Sequence, residues 1–174
     1  DSLLSCFIMH ALTRRIVAEY TGRPVLVKQY YENMRRLLMY YNATCNYENN
    51  KKGVFTYFEN TNSVTLLCET PQLLKDKSMV SGNRIGNAAY GTPGNTKINW
   101  FGRKLIKEWL LEEAYGTNGL KRNMDTIRSK ALLRELIKWD TMGNFDRVSS
   151  MGMLMIYEES ERKYLIGSED EIEN

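Results

Sequence analysis

The sequence predicts an α/β fold, a mixed and mostly parallel sheet flanked by helices, and three observations predict it. The chain opens with two β-favouring runs separated only by a short polar link, the pattern of an antiparallel hairpin. From Val25 onward, strand-length apolar runs alternate with segments of helical period, an order that implies parallel pairing through right-handed crossovers. The longest of these helical segments are apolar along one face, the face that a sheet would cover.

Ser2 to His10 reads as the first strand and Ile16 to Tyr20 as its antiparallel partner, and Thr21-Gly22-Arg23-Pro24 ends the hairpin. Over Val25 to Tyr41, Val27, Tyr30, Tyr31, Met34, Leu37, Leu38 and Tyr41 recur at helical spacing, with Lys28, Glu32, Arg35 and Arg36 opposite. The tyrosines share that apolar face, which suits core packing better than base stacking. Ala43, Thr44, Cys45 and Tyr47 read as a buried central strand ending at Glu48. Asn49 and Asn50 lead from it into a helix from Lys51 to Glu59, with Val54, Phe55 and Phe58 inward, and Val64 to Cys68 is the next strand.

Between Val80 and Thr96 the composition shifts to Ser, Gly, Asn, Ala and Pro, with Arg84 and Tyr90 embedded; a loop this long is generally functional or disordered. Asn95 or Thr96 caps a helix reaching about Glu113, buried through Ile98, Phe101, Leu105, Ile106, Trp109 and Leu110. Lys97 stands in its first turn, where the helix dipole disfavours a cation unless an anion faces it. After a loop from Tyr115 to Arg122, a helix from Ala131 to Trp139 turns Leu132, Leu133, Leu136 and Ile137 inward. Thr141 to Gly143 turns, and Asn144-Phe145-Asp146-Arg147 opens a last helix with Phe145, Val148, Met151, Gly152, Met155 and Ile156 on its apolar face. Ser149, Ser150 and Gly152 are small enough to let that helix approach the sheet. The expected domain spans residues 1–166, with a frayed acidic tail over 167–174.

At 174 residues and a formal charge of +3, the chain fits one domain that folds without staples and admits a polyanionic partner without demanding one. Its three cysteines, Cys6, Cys45 and Cys68, lie in apolar stretches with no C-x-x-C and read as buried thiols in a reducing compartment. A single histidine, His10, argues against a zinc site of the usual Cys/His type. No apolar run is long enough to span a membrane, and neither a signal peptide nor a P-loop nor a G-x-G-x-x-G is present. Without a nucleotide fingerprint, a small-molecule α/β domain working through the glycine-rich loop is disfavoured. The first residue, Asp1, is not methionine, which suggests a fragment of something longer.

Glu48 at the end of a central strand and Asp146 at the start of a late helix can converge on one sheet edge, where α/β proteins gather catalytic groups. Two carboxylates about 4 Å apart repel by roughly 4 kcal/mol at an effective dielectric of about 20, so such a pair needs a divalent cation or a shared proton. Oxygen ligands without histidine point to Mg²⁺ or Mn²⁺, and carboxylate-held metals are the apparatus of phosphodiester hydrolysis. For Glu48 the alternative is a solvated side chain, and for Asp146 it is simple complementation of the helix dipole.

The order I-V-A-E-Y-T-G-R-P, then Y-N-A-T-C-N-Y-E-N-N-K-K-G, Y-G-T-P-G-N-T-K, A-L-L-R-E-L-I-K-W and G-N-F-D-R-V-S-S-M-G-M-L-M resembles the nuclease domain of the large terminase subunit of tailed bacteriophages. The resemblance runs from Asp1 to about Tyr157. It implies a ribonuclease H-like fold and a metal-dependent endonuclease that cuts concatemeric viral DNA during genome packaging. Glu48 matches the family's second catalytic carboxylate and Asp146 its third, while the first lies on a strand preceding the one that opens this sequence. Asp1 resembles a secondary acidic position and is a weaker metal-ligand candidate.

The family's packaging ATPase also precedes this region, in keeping with the missing P-loop. Two Mg²⁺ or Mn²⁺ ions are implied in the intact site. The implied partners are double-stranded DNA, the portal protein and the small terminase subunit, with no membrane and no small-molecule cofactor, in the cytoplasm of an infected bacterial host. Lys51, Lys52 and Arg147, and less directly Arg84 and Lys97, are the candidate phosphate-backbone contacts, each otherwise a solvated surface charge. The alternative is a ribonuclease H-like module that binds DNA or a packaging partner without cutting it.

Overall fold

The computed structural model describes residues 3–139 and 145–170, with side chains through residue 163. Two antiparallel strands, β1 (Leu4–His10) and β2 (Arg15–Gly22), form the one extended sheet among these residues. Their register runs from Leu4 opposite Gly22 to His10 opposite Arg15, with an irregularity between Ile8 and Met9. The hairpin expected from the first two runs is therefore present. It is also two-faced. Phe7 points into one hydrophobic cluster and Cys6 and Ile8 into the other, as the alternation of a strand requires.

Among the described residues, six helices cover the two faces. On the Cys6 side lie α1 (Val27–Tyr41) and α2 (Gly53–Asn60), which bury Tyr30, Met34, Leu38 and Phe58. Asn42 ends α1 in the left-handed conformation (φ 48°), its N–H bonding back to the Leu38 and Met39 carbonyls. Glu32 of α1 accepts from Arg35, Arg36 and the Tyr57 hydroxyl of α2, which fastens the two helices together. On the Phe7 side, α3 (Gln72–Asp76), α4 (Thr96–Leu111), α5 (Lys130–Lys138) and α6 (Asp146–Asp170) assemble around Trp109, Ile98, Leu132, Met151, Met155 and Ile156. The Asn95 side chain caps α4 by accepting from the Ile98 N–H at 3.0 Å, as its sequence position predicts.

Several expectations are corrected. The mostly parallel sheet is reduced to isolated bridges: Cys45 to Leu67 and Glu48 to Thr92 in parallel, and Glu69 to Tyr90 antiparallel. Val64 to Leu66 is a 3₁₀ turn, so only Leu67 is left to pair with Cys45. Beyond Cys45 the segment is rich in asparagine, and Asn46 and Asn49 send their side chains to carbonyls of neighbouring segments.

Ile137 is 84% exposed, outside the core assigned to it, because α5 turns Leu132 inward and meets α4 where Arg103 stacks over Trp139. Gly152 faces α4, not the sheet: a Cβ on Gly102 would lie 3.1 Å from the Gly152 Cα. The short α3, with Leu73 and Leu74 buried after Pro71, was not anticipated. The expected turn at 141–143 and Asn144 lie outside the described residues, as does the end of the acidic tail at 171–174.

Candidate functional site

A cavity of about 340 Å³ separates β1 from the 44–48 segment, with α1 on one side and α6 on the other. Glu48, Lys51 and Asp146, all named from the sequence, line it. Sequence distance had hidden how they meet. The 44–48 segment carries Glu48 to the cavity, and α6 begins there with Asp146, whose Oδ2 accepts the Leu3 N–H at 2.7 Å.

Glu48 is exposed and rests on Gly94, where a Cβ would stand 2.6 Å from its Oε1. Gly94 is held by Asn50, whose Oδ1 accepts the Gly94 N–H at 2.9 Å and whose Nδ2 donates to the Gly94 carbonyl at 2.8 Å. The neighbouring Asn49 donates from its backbone to the Thr92 carbonyl and from its side chain to the Tyr90 carbonyl. Thr92 returns a backbone bond to Tyr47, and its hydroxyl donates to the Asn46 amide oxygen. Asn46 in turn donates to the Met153 carbonyl of α6. The segments N-Y-E-N-N and Y-G-T-P-G are thereby joined into one support under Glu48. Gly91 sits at φ 67° with no room for a side chain, since a Cβ would lie 2.6 Å from the Tyr47 carbonyl oxygen.

The remaining candidates divide. Lys51 and Lys52 are exposed, but only Lys51 lines the cavity. Arg147 is not a free cation. Its guanidinium bonds Glu19 of β2 and Glu135 of α5, each at 2.7 Å, with all three side chains under 20% exposed. Burial opposes the Arg147 charge, but the hydrogen bonds it donates to Glu135 and Glu19 outweigh that and hold the pKa above its ordinary value. Glu135 also accepts the Arg147 and Val148 N–H groups and so caps α6 directly beside Asp146. Arg84 donates to the Ala88 carbonyl within its own loop, and Lys97 is exposed on α4 away from the cavity lining. Asp1 lies outside the described residues.

Ser149 and Ser150, read from the sequence only as small residues, line the cavity too, and the Ser150 hydroxyl donates to the Ser5 carbonyl of β1 at 2.8 Å. A pair of hydroxyls one turn from a helix-start carboxylate was the signal available for them.

No protein-family model, curated protein or solved structure matches the chain. The site's chemistry rests on its own geometry. Glu48 and Asp146 are a hard, oxygen-only donor pair of the type Mg²⁺ and Mn²⁺ accept together with water. No group of three Asp, Glu, Cys or His residues that could hold a metal occurs among the described residues. Among the described residues neither oxygen of Glu48 accepts a hydrogen bond and Asp146 commits only Oδ2, to Leu3, so the pair retains donor capacity for a cation. Among the described residues, no helix is long and apolar enough to cross a membrane.

Proposed function

We propose that this chain is a divalent-metal-dependent DNA endonuclease domain of the ribonuclease H-like, terminase type, with Glu48 and Asp146 as its metal-holding carboxylates. The observation that carries this reading is their convergence with Lys51 on one cavity. The metal, when bound, would supply an activated water and neutralise charge building on the phosphate. The chain's own residues do the rest. Glu48 is positioned by Gly94 and Asn50, Asp146 by Leu3 and the α6 cap, and Lys51 offers a cation to the phosphate backbone at the mouth.

Backbone directions in the cavity support the finer fold reading. Cys45 turns its N–H and carbonyl to Leu66 and Cys68, so by alternation Thr44, Asn46 and Glu48 turn theirs toward the cavity. Opposite, the Leu3 N–H and the Ser5 carbonyl face α6, so β1 turns Leu3, Ser5 and Phe7 away from β2 and toward the same space. A strand lying there, about 4.8 Å from each wall, would hydrogen-bond both edges and make the sheet continuous. In the resembled family the first carboxylate lies on a strand that precedes the one opening this sequence.

Plasmid DNA incubated with the protein and Mn²⁺ or Mg²⁺ is expected to be cut, with no cutting in excess chelator. Glu48→Gln and Asp146→Asn should each lower the rate at least about a hundredfold with folding unchanged by circular dichroism. Cleavage retained by both variants would sink the assignment. DNA binding without hydrolysis or Mn²⁺ binding would favour the non-cleaving module, a reading that the two-carboxylate donor set keeps in view.

A further inference from the structure

Lys97 stands away from the cavity, on the outer side of α4, and it does not stand alone. The inner side of that helix is Ile98, Gly102, Leu105, Ile106 and Trp109, all buried. At about 100° per residue the opposite side carries Lys97, Trp100, Lys104 and Lys107 in one exposed stripe, with Arg103 on its flank. Lys77, just after α3, adds a fifth cation by lying over the Phe101 ring, 5.4 Å from its centroid. Glu108 is the one acid of α4, and its pairing with Lys104 at 3.6 Å is exposed and therefore weak. Lys97 and Lys107 have no ion pair among the described residues.

Trp100 is 65% exposed in the middle of these cations. The other two tryptophans are used by the fold. Trp109 is buried and donates its indole N–H to the Arg14 carbonyl, and the half-buried Trp139 has Arg103 over its ring. Trp100 makes neither a hydrogen bond nor a ring contact among the described residues. Nothing in the packing or in the proposed hydrolysis accounts for a bare indole ringed by positive charge.

We propose that this face of α4 binds single-stranded DNA, with one base stacked on Trp100 and the flanking phosphates held by Lys97 and Lys104. The helix rise places the two lysines about 4.5 Å before and about 6 Å after Trp100 along the axis, one on each side of a base lying on the indole. A strand suits the stripe better than a duplex does. Either would satisfy the lysines, but only unpaired bases offer a free face for stacking. A protein partner suits it less, because the exposed neighbours of Trp100 along the helix are Thr96, Lys97, Asn99 and Lys104, which leave an apolar surface one anchor and no surround. The choice of DNA over RNA rests on the endonuclease reading. The stripe itself is separate from that site, since no residue of α4 lines the cavity.

The experiment is titration of the whole chain, in excess chelator and about 50 mM salt, with an oligothymidylate of about twelve nucleotides, following tryptophan emission and the polarisation of a labelled strand. The expected result is quenching on binding. In Trp100→Ala the quenching should vanish and the affinity fall about tenfold or more. In Lys97→Glu with Lys104→Glu the slope of log affinity against log salt should flatten by about 1.4, two phosphates at about 0.7 each. Binding without quenching, unchanged affinity in Trp100→Ala, a duplex of equal length bound as tightly, oligouridylate bound more tightly, or polyglutamate quenching as strongly as the strand would each overturn the proposal. The quenching on unaltered protein decides even if a variant fails to fold. With chelator present the metal site takes no part, so failure here leaves Mn²⁺-dependent plasmid cutting standing, and failure of cutting leaves strand binding standing.

Discussion

Glu48 owes its place to a residue with no side chain. Gly94 is not held at a positive φ, so alanine is conformationally allowed there, yet its Cβ would enter the Glu48 carboxylate. Glu48 is the flexible partner and moves aside. Gly94→Ala is therefore expected to change stability by no more than about 0.5 kcal/mol while weakening Mn²⁺ binding and cleavage roughly tenfold or more. Calorimetric titration with Mn²⁺ beside a melting curve measures both, and unchanged Mn²⁺ affinity would refute the role of Gly94. At this scale the sequence was legible for which carboxylates line the cavity and much less so for the surroundings of the cations. Asp146 could be chosen because a helix start is a local feature, and Glu48 because it ends a short β-favouring run, even though that run pairs only through isolated bridges. Arg147 was named as a phosphate contact without its ion pairs, because its two partners lie 128 and 12 residues away and only the fold brings them to it.

At the scale of elements, that ion-pair cluster joins β2, α5 and α6 at the end of α6 that carries Asp146. Removing Arg147 strands two largely buried carboxylates, so Arg147→Ala is expected to cost about 3 kcal/mol near neutral pH. Burial raises the Glu19 pKa, but hydrogen bonds from Ser129, Arg147 and Thr21 prevail and hold it below the ordinary 4.5. A depressed carboxylate stabilises the folded protein above its unfolded pKa and loses that contribution as pH falls through the folded value. The stability gap between the natural protein and Arg147→Ala should therefore narrow in urea titrations as pH drops below about 4.5. A gap constant from pH 7 to pH 3 would show that the charges are not what the variant loses. The longer helices were readable because the 3.6-residue period survives in a single sequence, as the Tyr30, Met34 and Leu38 stripe of α1 illustrates. The hairpin strands were readable as well, but the later ones were not, because Val64 to Leu66 has strand composition but sits between Ser63 and Leu67 in a turn closed by local hydrogen bonds.

For the whole molecule, α6 is the common support. It starts at the carboxylate site, accepts Asn46 in its middle, crosses α4 at paired glycines, and takes the Leu73 N–H on Ser160. The hairpin turn is tied to the same layer, since Arg14 bonds both Glu112 and Glu158 and its carbonyl accepts the Trp109 indole N–H at 3.1 Å. Exchange of backbone amides with deuterium should register this arrangement. The central turns of α6 are expected to be among the slowest to exchange, opening only when the molecule unfolds as a unit. The amides of Ser5, Phe7, Asn46 and Glu48 point instead into the cavity between two strand edges. They should exchange far faster than their depth suggests, a line of quickly labelled positions through the middle of the protein, and any chain segment that pairs with those edges would silence all of them together.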